Sequence, residues 1–259
     1  MTFREKYGPY ALVAGASYGL GEAFAEALAK RKLNLVLIAR GKDRLEATAS
    51  RLREQYSVEV MSFAADLADY ETTKRLIAGL DVSIGLLVYN AAFAPIGLFE
   101  NTGEDALALA AAVNVKAPLL LARLLSAGMI QQGRGGIVLM SSLAGGQGSP
   151  KLAAYAATKA FNAVLAEGLW KELLPRNIDV IGCCAGAIRT PGYQQAEKSK
   201  AAPGTLEAGE VAEQALHALG KGPIVVPGVV NKIARLLMTR ILPRRLSIDI
   251  MSKNTGGLS

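Results

Sequence analysis

Tyr155 and Lys159 stand four residues apart in an apolar stretch, Ala153-Ala-Tyr-Ala-Ala-Thr-Lys-Ala-Phe161. In a helix this spacing puts both side chains on one face, where an ammonium can stabilise a tyrosinate. A free phenol loses its proton near pH ~10, so acid–base work at neutrality needs such a cation beside it. Ser142, at the predicted end of an apolar strand, can hydrogen-bond an oxygen held next to the phenol; Ser141 is its neighbouring rival. A Tyr and a Lys at this spacing are equally well two surface neighbours, so the rest of the chain must decide.

The second chemical signal is a glycine turn, Gly15-Ala16-Ser17-Tyr18-Gly19-Leu20-Gly21, between an apolar run and a predicted helix. Glycines there let the backbone approach a pyrophosphate, and the free N–H groups and dipole of the helix face the negative charge. The spacing G-x-x-x-G-x-G differs from the usual dinucleotide fingerprint, and an ordinary strand-to-helix turn is the competing reading. The next apolar run ends Leu37-Ile38-Ala39-Arg40. No carboxylate stands there for the ribose hydroxyls of NAD; Arg40 offers a planar fork to a 2′-phosphate, with Lys42 and Arg44 nearby, so NADP(H) is the expected nucleotide. The other reading of Arg40 is a solvated side chain at a helix start. Asp66 and Leu67, past the third run, can meet the adenine; Asp66 is equally a candidate cap for the helix beginning near Asp69.

These groups need a frame. Apolar runs recur at 10–14, 33–39, 58–63, 84–89, 137–141, 178–183 and 224–226, several without polar alternation, as in strands covered on both faces. Helical patterns fall between them at 20–31, 42–56, 69–80, 104–131, 153–174 and 207–219. The βα rhythm predicts an α/β fold: a doubly wound, Rossmann-like parallel sheet of about seven strands with helices on both faces. Nothing divides residues 8–228, so 1–228 reads as a single dinucleotide-binding catalytic domain. Within it, the polar, Gly/Pro-punctuated segment 187–206 reads as a substrate loop or lid, or as a plain surface loop.

The net charge is +7, yet residues 221–259 hold seven Lys and Arg against one acidic residue, so the body is nearly neutral. The tail has no aromatic residue to interleave with its cations, which argues against nucleic acid as a partner. Residues 229–259 read as a basic amphipathic tail. Val230, Ile233, Leu237 and Ile241 recur at helical spacing with Lys232 and Arg235 opposite, and Pro243 ends the pattern. Such a stripe is expected to be buried against protein, over the substrate pocket or at a subunit contact; peripheral contact with an anionic membrane is the alternative. The two cysteines, Cys183 and Cys184, are adjacent and make neither a disulfide framework nor a zinc site; they fit a reducing, cytoplasmic compartment. No signal peptide is read at the N-terminus, and no run of about 18 uninterrupted apolar residues suggests a membrane span. His217, the only histidine, lies far in sequence from every motif and reads as packing or surface, as do Trp170 and the methionines.

Taken together, the motifs resemble those of the short-chain dehydrogenase/reductase family over residues 8–228. Its T-G-x-x-x-G-x-G element matches residues 14–21, with Ala14 in place of Thr. Its catalytic Asn, Ser, Tyr and Lys fall on Asn114, Ser142, Tyr155 and Lys159; its N-N-A-G element on Tyr89-Asn90-Ala91-Ala92; and its P-G-x-x-x-T element on residues 185–190. The resemblance implies that Asn90, with Ala91, steadies the central strands at the cofactor. It further implies that Gly186, Ile188 and Thr190 form the nicotinamide element, with Ile188 and Thr190 on the carboxamide, and that Lys159 binds the ribose and depresses the Tyr155 pKa. Ser142 would orient the substrate oxygen, and Asn114 would hold a water in the proton relay. The implied activity is interconversion of a carbonyl and a secondary alcohol, with NADP(H) expected from Arg40, by a homodimer or homotetramer pairing through 104–131 and 153–174; the amphipathic tail and the long segment 187–206 point further to a reductase of an apolar ketone or 3-oxoacyl substrate. A non-catalytic dinucleotide-binding regulator or scaffold and an NAD-linked alcohol dehydrogenase are the alternatives.

Overall fold

In the computed structural model, which describes residues 1–190 and 202–255, the strands are β1 (Tyr10–Ala14), β2 (Asn34–Ala39), β3 (Val60–Ala64), β4 (Ile84–Tyr89), β5 (Gly135–Ser142), β6 (Ile178–Ala185), β7 (Ile188–Arg189), β8 (Leu206–Glu207) and β9 (Ile224–Val225). Seven of them form one parallel sheet in the order β3-β2-β1-β4-β5-β6-β9. The order reverses between β1 and β4, which opens a crevice at their carboxyl ends. Helices α1 (Phe3–Tyr7), α2 (Gly19–Lys30), α3 (Lys42–Tyr56), α4 (Tyr70–Ala78), α5 (Glu104–Ala111), α6 (Ala117–Gln132), α7 (Ala153–Leu173), α8 (Ala208–Ala218), α9 (Val229–Leu236) and α10 (Arg244–Thr255) complete the described chain.

Strands β1, β4 and β6 are buried at every position, which is why their sequences are continuous apolar runs. Successive residues still serve opposite faces: Ala11 and Val13 enter one core layer, while Tyr10, Leu12 and Ala14 enter the other. Helices α2 and α8 cover the first layer, and α6 and α7 the second. Among the predicted boundaries, the start of β5 moves to Gly135, and Asp69 caps α4 by accepting from the Thr72 N–H at 3.0 Å. That excludes Asp66 as the cap; its carboxylate folds back onto the Ala68 N–H at 2.9 Å instead.

The predicted helix 104–131 is one continuous element from Glu104 to Gln132, widened to a π-turn at Ala112–Lys116. It is long and apolar enough to cross a bilayer by length and composition, a property that the search for uninterrupted apolar runs did not register because Asn114, Lys116 and Arg123 punctuate it. Packing against the sheet explains much of that composition: Leu121, Leu125 and Met129 are buried in the second core layer.

The C-terminal segment departs from expectation. Its helix forms, continues through a π-turn at Leu237–Ile241 and ends before Pro243, but it is mounted with the polar side inward. Asn231 is 3% exposed, whereas Val230 and Ile233 are each 54% exposed and Ile241 61%. The apolar stripe expected to be buried faces outward, while Asn231 on the inner side is held by backbone carbonyls. The Asn231 amide donates to the carbonyls of Gly204 and Pro227, each at 3.0 Å, and Arg244 donates to that of Gly146. Of the segment 187–206, the described part pairs β7 with β8; residues 191–201, central to the lid reading, lie outside the described residues.

Candidate active site

At the crevice, β1 passes through the glycine turn into α2, so the helix begins at the cleft with its first N–H groups free. Gly15 has φ +85, and a Cβ there would come within 2.7 Å of the Ala91 backbone. A Cβ on Gly21 would overlap the Gly15 carbonyl oxygen, so this glycine closes the turn from behind. Asn90 donates its side-chain amide to the same carbonyl at 3.1 Å, while the N–H groups of Asn90 and Ala91 bond Ala14 O, locking the ends of β1 and β4 together.

The cleft measures about 590 Å³. Its wall carries Gly15, Ser17, Tyr18, Gly19 and Leu20 from the turn, Arg40 and Arg44 past β2, Asp66 and Leu67 past β3, and Asn90 and Ala91 past β4, closed by Thr190. The Arg44 guanidinium lies over the Tyr18 ring, 6.0 Å from its centroid, a cation–π contact between two walls of the cleft. Phe93 and Val113 also line it and were missed by sequence reasoning; their only signal was adjacency to the Asn90 and Asn114 motifs. Gly21, Gly186 and Ile188 are not on this wall, and neither are Tyr155 and Lys159, which were also expected at the cofactor. Gly186 is pressed against the Asn231 carboxamide, which a Cβ would approach to 2.6 Å, and Ile188 pairs with Leu206 and packs on the core.

The candidate Ser, Tyr and Lys sit one strand further along. Ser142 ends β5, while Ser141 points the other way and donates to the carbonyl of Lys159 at 2.7 Å, so the rival serine fastens α7 to the strand. Ser142 hydrogen-bonds Tyr155 and pulls its pKa down, but burial is the larger influence and leaves the phenol above its ordinary value. Lys159 is 3% exposed; its ammonium donates to Met140 O at 3.0 Å and lies 5.6 Å from the Tyr155 ring centroid. Burial pushes the Lys159 pKa down to about 8, with Cys183 acting weakly in the opposite direction. This corrects the expected electrostatics. In the chain alone, the hydrogen bond from Ser142 is what lowers the Tyr155 pKa, and the desolvated lysine is itself ready to lose its charge.

Asn114 occupies the π-turn and is fully buried. Its carboxamide is committed: Oδ1 accepts from Phe93 N at 2.8 Å, and Nδ2 donates to Phe93 O at 2.7 Å and to Thr158 Oγ1 at 3.0 Å. Asn162 donates to the Asn114 main-chain oxygen at 2.9 Å, so both the side chain and the carbonyl of Asn114 are engaged by protein groups, which leaves the expected water-holding role without a visible free donor on its amide. Thr158 and Asn162 are positioning residues that the sequence reading passed over. They continue the stripe of Tyr155 and Lys159 at helical spacing, a visible polar row on a largely apolar helix.

The cleft can hold a dinucleotide: its glycine cradle would be filled by any Cβ, its helix opens toward it, and just past β2 it carries Arg40, Lys42 and Arg44 against one acid, Asp43. Comparisons with known proteins agree with this geometry. Residues 9–201 match the family model for short chain dehydrogenases. The 7beta-hydroxysteroid dehydrogenase of Clostridium sardiniense is 31% identical over 235 residues, 90% of each chain. A structure solved to explain 7beta-hydroxysteroid dehydrogenase stereoselectivity superposes with a TM-score of 0.89 at 28% identity, covering 97% of this chain and 99% of that one. A short-chain dehydrogenase from Sphingobium yanoikuyae in complex with NADPH superposes at 0.79 with 31% identity, covering 91% and 97%.

Proposed function

The chain belongs to the short-chain dehydrogenase family, and from that premise we propose a substrate, a direction and a division of labour for its NADP(H)-dependent oxidoreductase activity. It interconverts a carbonyl and a secondary alcohol. The reading is of a reductase acting on a bulky, largely apolar ketone, with 3-oxoacyl compounds as the second class. NADPH, when bound along the wall from Gly15 to Arg40, supplies a hydride to the carbonyl carbon. Arg40 and Arg44 hold the 2′-phosphate, and Asp66 meets the adenine. Ser142 donates to the substrate oxygen, Tyr155 gives that oxygen its proton, and Lys159 holds the ribose and returns charge to the phenol site. Asn114 and Asn162 keep the helical turn beneath Lys159 in register. The single observation that carries this reading is that Ser142, Tyr155 and Lys159 converge at the carboxyl end of β5, beside the switch-point cleft.

The test is a panel of ketones, 3-oxoacyl thioesters, sugars and steroids followed by NADPH absorbance. Turnover of bulky ketones that disappears in Tyr155→Phe is expected; NADPH binding without turnover of any carbonyl would favour the regulator reading. Exposed Leu119 and Ile130 of α6 and Val164 of α7 support a homo-oligomer formed across these helices. The outward stripe Val230, Ile233 and Ile241, flanked by exposed Lys232 and Arg240, supports peripheral contact with an anionic membrane. The free, buried Cys183 and Cys184 support a reducing, cytoplasmic setting.

A further inference from the structure

Two consecutive carbonyls in the long helix 104–132 have lost their α-helical donors. Pro118 has no N–H, so Asn114 O, four residues earlier, lacks the donor an α-helix would give it. In the widened turn the Ala117 N–H reaches back five residues to Ala112 O, which takes the α-helical donor from Val113 O as well. Val113 and Asn114 are both buried, so neither oxygen is left to solvent. Side chains from two other elements supply the donors. Tyr89, at the end of β4, donates its hydroxyl to Val113 O at 2.5 Å, and Asn162, on α7, donates its amide to Asn114 O at 2.9 Å. Tyr89 is 1% exposed; burial, and after it the charge of Asp66, raise its pKa, so the hydroxyl stays a donor through neutral and mildly alkaline pH. Asn162 is equally buried and its Oδ1 has no partner among the described residues, so its carboxamide acts on the turn through its N–H.

The turn held in this way joins the two halves of the reaction. On one side Val113 lines the cofactor cleft, and the Asn114 carboxamide holds the backbone of Phe93, which lines it too. On the other side Asn114 donates to Thr158, and Thr158 donates to the Tyr155 carbonyl at 2.8 Å, on the helical turn that carries the phenol and Lys159. We infer that Tyr89 is a positioning residue of the reaction: with Asn162 it clamps the π-turn before Pro118, and so sets the spacing between the cofactor wall at Val113 and Phe93 and the helix that carries Tyr155 and Lys159. This rests on the carbonyl reductase reading. A slip of about 1 Å between reacting groups can cost on the order of a hundredfold in rate, so a hydroxyl that bonds a backbone oxygen governs turnover.

The experiment compares Tyr89→Phe with Tyr7→Phe, the same change at a buried phenol that bonds Asp179 at 2.6 Å, at the opposite end of the sheet from the crevice. Each should lower Tm by about 2–4 °C. Tyr89→Phe should also slow single-turnover oxidation of NADPH by a bulky ketone, followed by stopped-flow absorbance, by about ten- to a hundredfold, and weaken NADPH binding severalfold in a fluorescence titration. Tyr7→Phe should leave both at wild-type values. Asn162→Leu should repeat the loss of rate, and the double variant Tyr89→Phe/Asn162→Leu should lose less than the product of the single losses, because both act through one turn. Wild-type rate and NADPH affinity in Tyr89→Phe, equal losses in Tyr7→Phe and Tyr89→Phe, or single losses that multiply in the double variant would overturn the assignment. If the wild type binds NADPH but turns over no carbonyl, the reductase reading fails and the titration decides the clamp alone: weaker binding in Tyr89→Phe but not in Tyr7→Phe upholds it, and equal binding overturns it.

Discussion

The two sides of the crevice are built on different principles. On the nucleotide side, β1 to β3 and their turns shape the cleft with backbone: glycines that admit no Cβ and a helix start, with Arg40 just past β2 and Arg44 in the first turn of α3. On the substrate side, β5, β6 and the tail position side chains that reach one another across long sequence separations, as Asn114 meets Phe93, Thr158 and Asn162, and Asn231 meets Gly204. Backbone-built sites tolerate variation in the surrounding side chains, whereas a side-chain lattice fails at single positions. The contrast teaches where this enzyme's chemistry is fragile.

Tyr155→Phe should divide the two sides most sharply. Turnover is expected to fall by about a thousandfold or more with NADPH affinity within roughly twofold of wild type, measured by absorbance and by nucleotide fluorescence titration. Near-normal turnover would remove the phenol from the chemistry. Lys159→Met should also abolish most activity while raising thermal stability at neutral pH by on the order of 1–3 kcal/mol. The sign follows from a folded-state pKa of about 8 against the ordinary 10.5: folding penalises the charged form. The gain should thus be full below pH 8 and shrink between pH 8 and 10.5.

On the nucleotide side, Arg40→Asp should reverse the preference of NADPH over NADH by about ten- to a hundredfold, read as a ratio of kcat/KM values, while the carbonyl KM stays put. Asn231→Leu gives the complementary result. Losing its amide strands the carbonyls of Gly204 and Pro227, with an expected loss of about 1–3 kcal/mol in unfolding experiments and a severalfold rise in carbonyl KM at unchanged NADPH affinity. A parallel change in both affinities would mean the tail supports the whole crevice. The smallest effect belongs to Ser142→Ala at saturating alcohol. Because its hydrogen bond lowers the Tyr155 pKa, its removal should move the alkaline rise of alcohol oxidation to higher pH, beyond the loss of rate.

How legible each part was follows the same division. The βα rhythm, the glycine turn and Arg40 could be read because each depends on neighbours in sequence: continuous burial writes continuous apolar runs, and a tight turn into a helix demands glycine at fixed spacing. Tyr155 and Lys159 were legible as a pair because a helical turn brings them together. Thr158 and Asn162 stood in the same stripe, but their importance depends on Asn114, distant in sequence and displayed by a π-turn that periodicity does not announce.

The tail marks the limit. Its residues dictated a helix with one apolar and one basic face, ending before Pro243, because hydrophobic periodicity and the missing proline N–H are local properties. Which face turns inward depends on distant partners: Asn231 meets the carbonyls of Gly204 and Pro227, and Thr239 packs against Gly146 in the turn after β5. Tertiary structure alone decided that orientation, as it decided that burial outweighs the Ser142 hydrogen bond at Tyr155, since desolvation depends on everything packed around a group and not on its neighbours in sequence.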